Sequence, residues 1–268
     1  MSNPNTMMHY REITPPDDLR HMILSFWEFS ISNDALSPIA HEIFPDGCAS
    51  VFYIRNLRRG MHIVGLSGLY LETVTKPMSA GDAVWGVRIS PAALSVITGT
   101  DARRMLGANF LGPEDLPHLL AGLVEDLSAV DDFCNGVAIF EERFRTIAKN
   151  IGKHDGVIAN AVTVIEKKRG EVRVDELAKS LGLSTRQFQR RFKVSSGLTP
   201  KQYIRARRIR ATAVDLVEER NQNWAERAAD LGFADQAHMT HEFVAMTNRS
   251  PNSFAQKVGN IEHGDLVK

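Results

Sequence analysis

Arg186, Gln189 and Arg190 are the residues whose types and spacing point most directly to chemistry. Steps of three and four put them on one face of a helix, and Gln187 and Lys193 complete the polar set. Arginine can pair bidentately with guanine and glutamine with adenine, so the chemistry such a face suits is the reading of base edges in a major groove. The plainer reading is a solvated helix side. Metal chemistry has less to build on. His41 and His62 stand apart, with Glu42 and Asp46 near the first, and no H-x-H pattern joins them. His238 and His241 have metal spacing on a helix but no third ligand in view, so DNA contact is the expectation there. No Ser/His/Asp signature, phosphate loop or paired carboxylates appear, and no catalytic residue, metal or cofactor is expected.

The elements that must position these residues occur twice. A shift of 51 residues places Ser184 on Asp235, Phe188 on Met239, Phe192 on Phe243, Gly197 on Asn248, Pro200 on Pro251 and Tyr203 on Phe254. Upstream of each unit lies a small residue and a closing glycine, Ala178-x-x-Leu181-Gly182 and Ala228-x-x-Leu231-Gly232. The alanines let two helices approach, and the glycines supply the positive φ of a sharp exit. Ser184 and Gln187 make an S-x-x-Q capping box that starts the next helix. Each half therefore reads as a helix-turn-helix followed by a helix opened by proline.

This region resembles the DNA-binding domain of the AraC/XylS family of bacterial transcription regulators. The stretches LAKSLGLSTRQFQRRFKVSSGLTPKQYIRARR and WAERAADLGFADQAHMTHEFVAMTNRSPNSF carry the resemblance, over roughly residues 155 to 257. It implies two helix-turn-helix units joined by a long helix, about Pro200 to Glu218. It also implies double-stranded DNA and RNA polymerase as partners. Arg186, Gln189 and Arg190 then occupy base-reading positions of the first recognition helix. Gln236, Ala237, His238, Thr240 and His241 occupy the matching stretch of the second. Arg205, Arg207, Arg208 and Arg210 on the joining helix are expected to be partly available to phosphates. Departures lie in the second unit. His241, Phe243 and Val244 replace the usual basic pair around the phenylalanine. Arg227 stands where an aliphatic residue is usual, and Asn248 stands for glycine.

At 268 residues the length suits two domains. Basic and acidic side chains balance at 32 each, yet residues 1–154 are net −5 and residues 155–257 net +6. Ten basic residues and no acid lie between Ala178 and Val214. Such a field draws phosphates, and the +9 of residues 155–210 against the −3 of 211–257 predicts that the first unit supplies most affinity. Two distant cysteines, Cys48 and Cys134, suggest a reducing compartment. With no leader and no apolar run of about 18 residues, a cytoplasmic protein is expected.

The N-terminal half reads as strands followed by helices. Residues 1–9 read as disordered, and a short helix after Asp17-Asp18 runs into the strand SFWEFSI. Strands over 40–54 are broken by Pro45-Asp46-Gly47, and more follow over 61–74 and 83–89. Ser90-Pro91 then starts a helix ending at Gly99. The fold class expected is α+β with two domains: a β-barrel, cupin-like sensor half with helices after it, then an all-α half. The proposed division is 1–151 sensor and dimerisation, 152–156 linker (GKHDG), 157–257 DNA binding and 258–268 tail. Phe44, Tyr53, Trp85 and Arg88 could line an effector pocket, aromatics giving area and arginine pairing an anion. Strand aromatics are also ordinary core.

Two helices are predicted over 113–151. Leu116, Leu120, Leu123, Leu127 and then Phe133, Val137, Phe140, Phe144, Ile147 and Ile151 form a heptad-like seam. It either packs on the barrel or, as the resemblance suggests, joins two copies in a homodimer. The competing function is a cupin-type metalloenzyme with a helical interaction module, which stoichiometric iron, zinc or manganese would support. An alkyl-transfer repair protein would need a four-cysteine cluster, which is missing.

Overall fold

The computed structural model describes residues 7–35, 38–107, 110–150, 155–218 and 224–267. Its first half is built from strands β1 (Met8–Ile13), β2 (Ile23–Ile31), β3 (Ile39–Ile43), β4 (Ser50–Asn56), β5 (Met61–Ser67), β6 (Val74–Met78), β7 (Ala83–Ile89) and β8 (Phe110–Leu111). A last strand, β9 (Ile261–His263), comes from the far end of the chain. Seven strands form a sheet in the order β8-β5-β4-β7-β2-β1-β9, while β3 and β6 pair separately. Among the described residues no hydrogen-bonded ladder joins these two sheets, which face each other across a cavity.

Alternation decides what each side chain meets. On β4, Val51 and Tyr53 enter the main core while Phe52 and Ile54 line the cavity. On β7, Trp85 and Val87 face the core, and Val84 and Arg88 face the cavity. Gly86 lies beneath Trp27, whose indole would stand 2.1 Å from any Cβ added there.

Helices α1 (Leu94–Thr98), α2 (Pro117–Leu120), α3 (Leu123–Ser128) and α4 (Phe133–Asn150) follow the strands. The heptad-like seam is inward. Every residue of it from Leu116 to Ile147 is buried, and Ile151 lies outside the described residues. Phe133 and Phe140 meet Trp85 and Phe26 on the sheet at ring separations of 6.3 and 6.5 Å. Gly136 allows the approach, since a Cβ there would come 2.7 Å from the Trp85 ring. Each buried phenylalanine is worth about 1.5–3 kcal/mol relative to exposure, so the seam is used within one chain. The expectation that it joins two copies is corrected: those side chains are not available to a partner.

Other differences are local. Met8 and His9, expected to be disordered, pair with Ile31 and Ser30 and with β9. The helix expected at Ser90-Pro91 starts at Leu94 and closes at Gly99 with φ +64. The first of the two helices after Pro113 is split where Gly122 adopts φ +74.

The second half contains α5 (Gly156–Lys167), α6 (Val174–Ser180), α7 (Thr185–Ser196), α8 (Pro200–Glu218), α9 (Trp224–Asp230), α10 (Gln236–Thr247) and α11 (Pro251–Val258). Of the expected linker, residues 152–154 lie outside the described residues, whereas Asp155 caps α5 and Gly156 begins it. Phe188, Phe192, Leu198 and Tyr203 of the first unit belong to the same continuous core as the sheet and α4. The second unit has its own, around Ile209, Ala228, Met239 and Phe243. No helix among the described residues is long and apolar enough to cross a membrane.

Candidate nucleic-acid interface

The first helix-turn-helix is α6 and α7. Gly182 turns the chain at φ +69. The Ser184 hydroxyl then accepts from the Gln187 amide at 3.3 Å, and the Gln187 side chain accepts from the Ser184 amide at 3.0 Å, closing the capping box. From that start Phe188 and Phe192 turn inward and are fully buried, their rings edge-on at 5.7 Å. The same helical spacing leaves Arg186, Gln187, Gln189, Arg190 and Lys193 exposed. Arg191, between the faces, is held by Asp155 at 2.6 and 2.8 Å.

The helix ends against the sheet half. Gly197 adopts φ +78, and a Cβ there would fall 2.3 Å from the Ala102 carbonyl oxygen. A second capping box, Thr199 with Gln202, opens α8 through bonds of 2.9 and 3.2 Å. The T-x-x-Q pattern of Thr199 and Gln202 is the sequence signal for this helix start.

The second unit repeats this geometry. Asp235 accepts from the His238 amide at 2.7 Å and starts α10. Ser196 and Thr247, 51 residues apart, make the same bonds, each hydroxyl donating to the carbonyl of its buried phenylalanine. Asn248 takes the left-handed turn at φ +54 in place of glycine. Gln236, His238 and His241 are exposed and Thr240 is half-buried. Apart from its histidines that face is uncharged, and Glu242 beside it pairs with Arg205 of α8 at 3.3 Å.

The arginines of α8 required a correction. Arg205, Arg207, Arg208 and Arg210 were all read as partly available to phosphate, but Arg207 and Arg210 are buried. Arg207 meets Glu166 at 2.5 Å, and Tyr203 donates to the same carboxylate. Burial works against the Arg207 charge, but Glu166 outweighs it and the arginine pKa rises. Arg208 lies 5.1 Å over the Phe233 ring and donates to Gly170. Arg210 reaches Glu12 at 2.7 Å across the molecule. Arg227, also buried, donates to the Asp215 carbonyl and lies over Trp224.

A cavity of about 620 Å³ lies between the two sheets and is closed on one side by the second half. Sheet residues such as Trp27, Phe29, Phe52 and Ile54 line one side, and Val214 and Val217 of α8 with Phe254 of α11 line the other. Phe44 and Arg88 line it as well. Tyr53 and Trp85 do not: they point from the opposite face of their strands into the core, because side chains alternate. At the inner end, Arg88 lies between Glu12 at 3.0 Å and Asp46 at 2.5 Å. Burial would raise the Glu12 pKa, but Arg210 and Arg88 more than offset it and hold the carboxyl at about 2. Tyr10, Glu12 and Arg210 were missed because their meeting joins positions up to 198 residues apart. The alternation of Phe52 and Ile54 was a usable signal for the lining. His41 stacks 4.1 Å from Phe29, and His62 bonds the Tyr53 hydroxyl at 2.6 Å. No group of three or more potential metal ligands occurs among the described residues.

Comparison with known proteins places two family models on the chain. A helix-turn-helix domain matches residues 177–257, and a domain of unknown function (DUF6597) matches residues 11–110. Probable transcription factor PqrA of Proteus vulgaris is 31% identical over 94 residues, covering 35% of this chain and 75% of that protein. A transcriptional regulator from Chromobacterium violaceum with an AraC-type DNA-binding domain is 22% identical, covering 38% of this chain and 91% of its own, with a TM-score of 0.35. ToxT from Vibrio cholerae is 10% identical over 93% of this chain and 97% of its own, with a TM-score of 0.44.

Proposed function

Because this chain belongs to the AraC/XylS family of bacterial transcription regulators, we propose that it binds its operator through α7 and α10, held by α8 in successive major grooves about 34 Å apart. It is a DNA-binding transcription regulator, and no catalytic role is assigned to it. The observation that carries the proposed docking is the exposed set Arg186, Gln187, Gln189, Arg190 and Lys193 on a helix whose other face is fixed in the core. Arg186 and Arg190 pair with guanine and Gln189 with adenine. Lys193 and the half-buried Arg205 lie where phosphates pass. Gln236, His238, Thr240 and His241 read the second half-site, with less contribution to affinity because their face lacks fixed positive charge.

In this reading residues 1–151 sense and residues 157–257 bind DNA, with an effector occupying the cavity between them. Phe44 and Arg88 would line the effector, while Tyr53 and Trp85 belong to the core. RNA polymerase is the downstream partner, and the protein works in the cytoplasm. Pairing of two copies would use the outer, polar faces of residues 113–151.

Selection of bound duplexes from a random pool tests the proposal. A site with two unequal halves is expected, and Arg190→Ala should lose about 1–3 kcal/mol of discrimination at one base pair of the stronger half. Equal affinity for selected and scrambled duplexes, before and after the change, would defeat it.

A further inference from the structure

The cavity's charges are already matched, and that bears on what can enter it. Arg88 is bound by the carboxylates of Glu12 and Asp46 and by the Ser25 hydroxyl at 2.5 Å. Arg210 is bound by both oxygens of Glu12 and by the Val267 carbonyl at 2.9 Å. Two guanidinium groups therefore face two carboxylates. Glu12 is fully buried at its side chain and accepts in addition from Tyr10 at 2.5 Å and from the Val267 amide at 3.0 Å. A carboxylate or phosphate arriving at Arg88 or Arg210 would have to displace Glu12 or Asp46, or sit beside them unpaired. Removing one partner from a buried pair is costly.

The other ionic lining groups are placed differently. Glu42 is held by Arg249 and Lys257, and Asp82 accepts from Asn56 and the Ser79 amide. Arg59, exposed, donates to Ser79, and Lys76 is half-exposed on β6. The walls between are mainly aromatic and aliphatic. Arg210 Nε, which has no hydrogen-bond partner among the described residues, is enclosed by protein and not open to the cavity. A neutral oxygen adds no charge to this matched set, whereas a carboxylate does. The volume of about 620 Å³ lies inside the range of small-molecule sites.

We infer that the cavity takes an uncharged, largely apolar molecule bearing a hydroxyl or carbonyl oxygen, and that it selects against anionic amphiphiles of the same skeleton. The inference rests on the proposed reading of the cavity as the effector site. Such a ligand would touch the sheet through Phe52 and the DNA-binding half through Val214 and Phe254.

The test uses the full-length protein with the neutral fluorophore N-phenyl-1-naphthylamine in the cavity. It is displaced in turn by 1-dodecanol, methyl dodecanoate and dodecanoate at neutral pH. The alcohol and ester should compete at least tenfold more tightly than the carboxylate. Greater hydrophobicity alone would produce part of that gap, so the deciding readout is Glu12→Gln. With one carboxylate neutralised, dodecanoate should gain at least tenfold while the alcohol changes little, and Asp46→Asn should act in the same direction should the first variant not fold. Dodecanoate binding as well as the alcohol to the unaltered protein, or gaining nothing in either variant, overturns the inference while leaving an effector cavity in place. Failure of every compound to bind, with selected DNA still bound, removes the effector reading together with this inference and leaves the DNA-binding proposal standing.

Discussion

Arginine is used in two opposite ways between Arg186 and Arg210 of this chain. Arg186 and Arg190 are open to solvent, whereas Arg207 and Arg210 are buried with carboxylates. Composition and spacing made all of them look like one basic field, and the side of the helix was legible from the buried phenylalanines. What was not legible was which arginines had partners, because Glu166 and Glu12 come from distant segments. Tyr53 and Trp85 show the same limit, since a strand buried on both faces carries no polar alternation to tell cavity from core. The two kinds of arginine should separate in experiment. Arg207→Ala leaves Glu166 unpaired and should cost about 3–5 kcal/mol of stability by urea denaturation. A loss no larger than that of an exposed position such as Arg186→Ala would contradict the burial described.

At the scale of elements, the helix-turn-helix units were largely legible because capping boxes, glycines and paired aromatics are local signals. Strand β3 was legible as a strand, but its role was not. Its Glu42 binds Arg249 and Lys257 beyond α10, at 2.5 and 2.6 Å, and fastens the second unit to the smaller sheet. Hydrogen bonding by Arg249 is the main cause that lowers the Glu42 pKa to about 2. Its neighbour His41 is lowered to about 4, first by burial and then by Lys257. Both shifts favour the deprotonated form in the folded state. The His41 contribution is complete above about 6.5 and lost as pH falls toward 4, and the Glu42 contribution is complete above about 4.5 and lost toward 2. The urea midpoint should therefore decline between pH 7 and pH 4, and His41→Gln should flatten that decline. An equally steep decline in the variant would show that the acid sensitivity resides elsewhere.

For the molecule as a whole, the α+β order and the resemblance of the C-terminal half were readable from sequence. The way the halves join was not. It depends on the β9 strand lying parallel to β1, on Gly197 against Ala102, and on Gly47, where a Cβ would stand 3.0 Å from Ala206 of α8. The first unit shares the core of the sheet half, and the second has a separate core. Hydrogen exchange should accordingly protect α7 more strongly than α10, because opening the first unit breaches the main core. Equal protection of the two helices, or the reverse order, would argue against that division.

Helix α7 is thus cast into the body, while the unit that carries α10 is clasped to it beside the cavity. Such a device works as a calliper with one fixed jaw. If α7 and α10 read DNA as proposed, a guest in that space would act on the gap and the twist between the jaws, and choice among promoters would turn on the number of base pairs separating two motifs as much as on the motifs themselves.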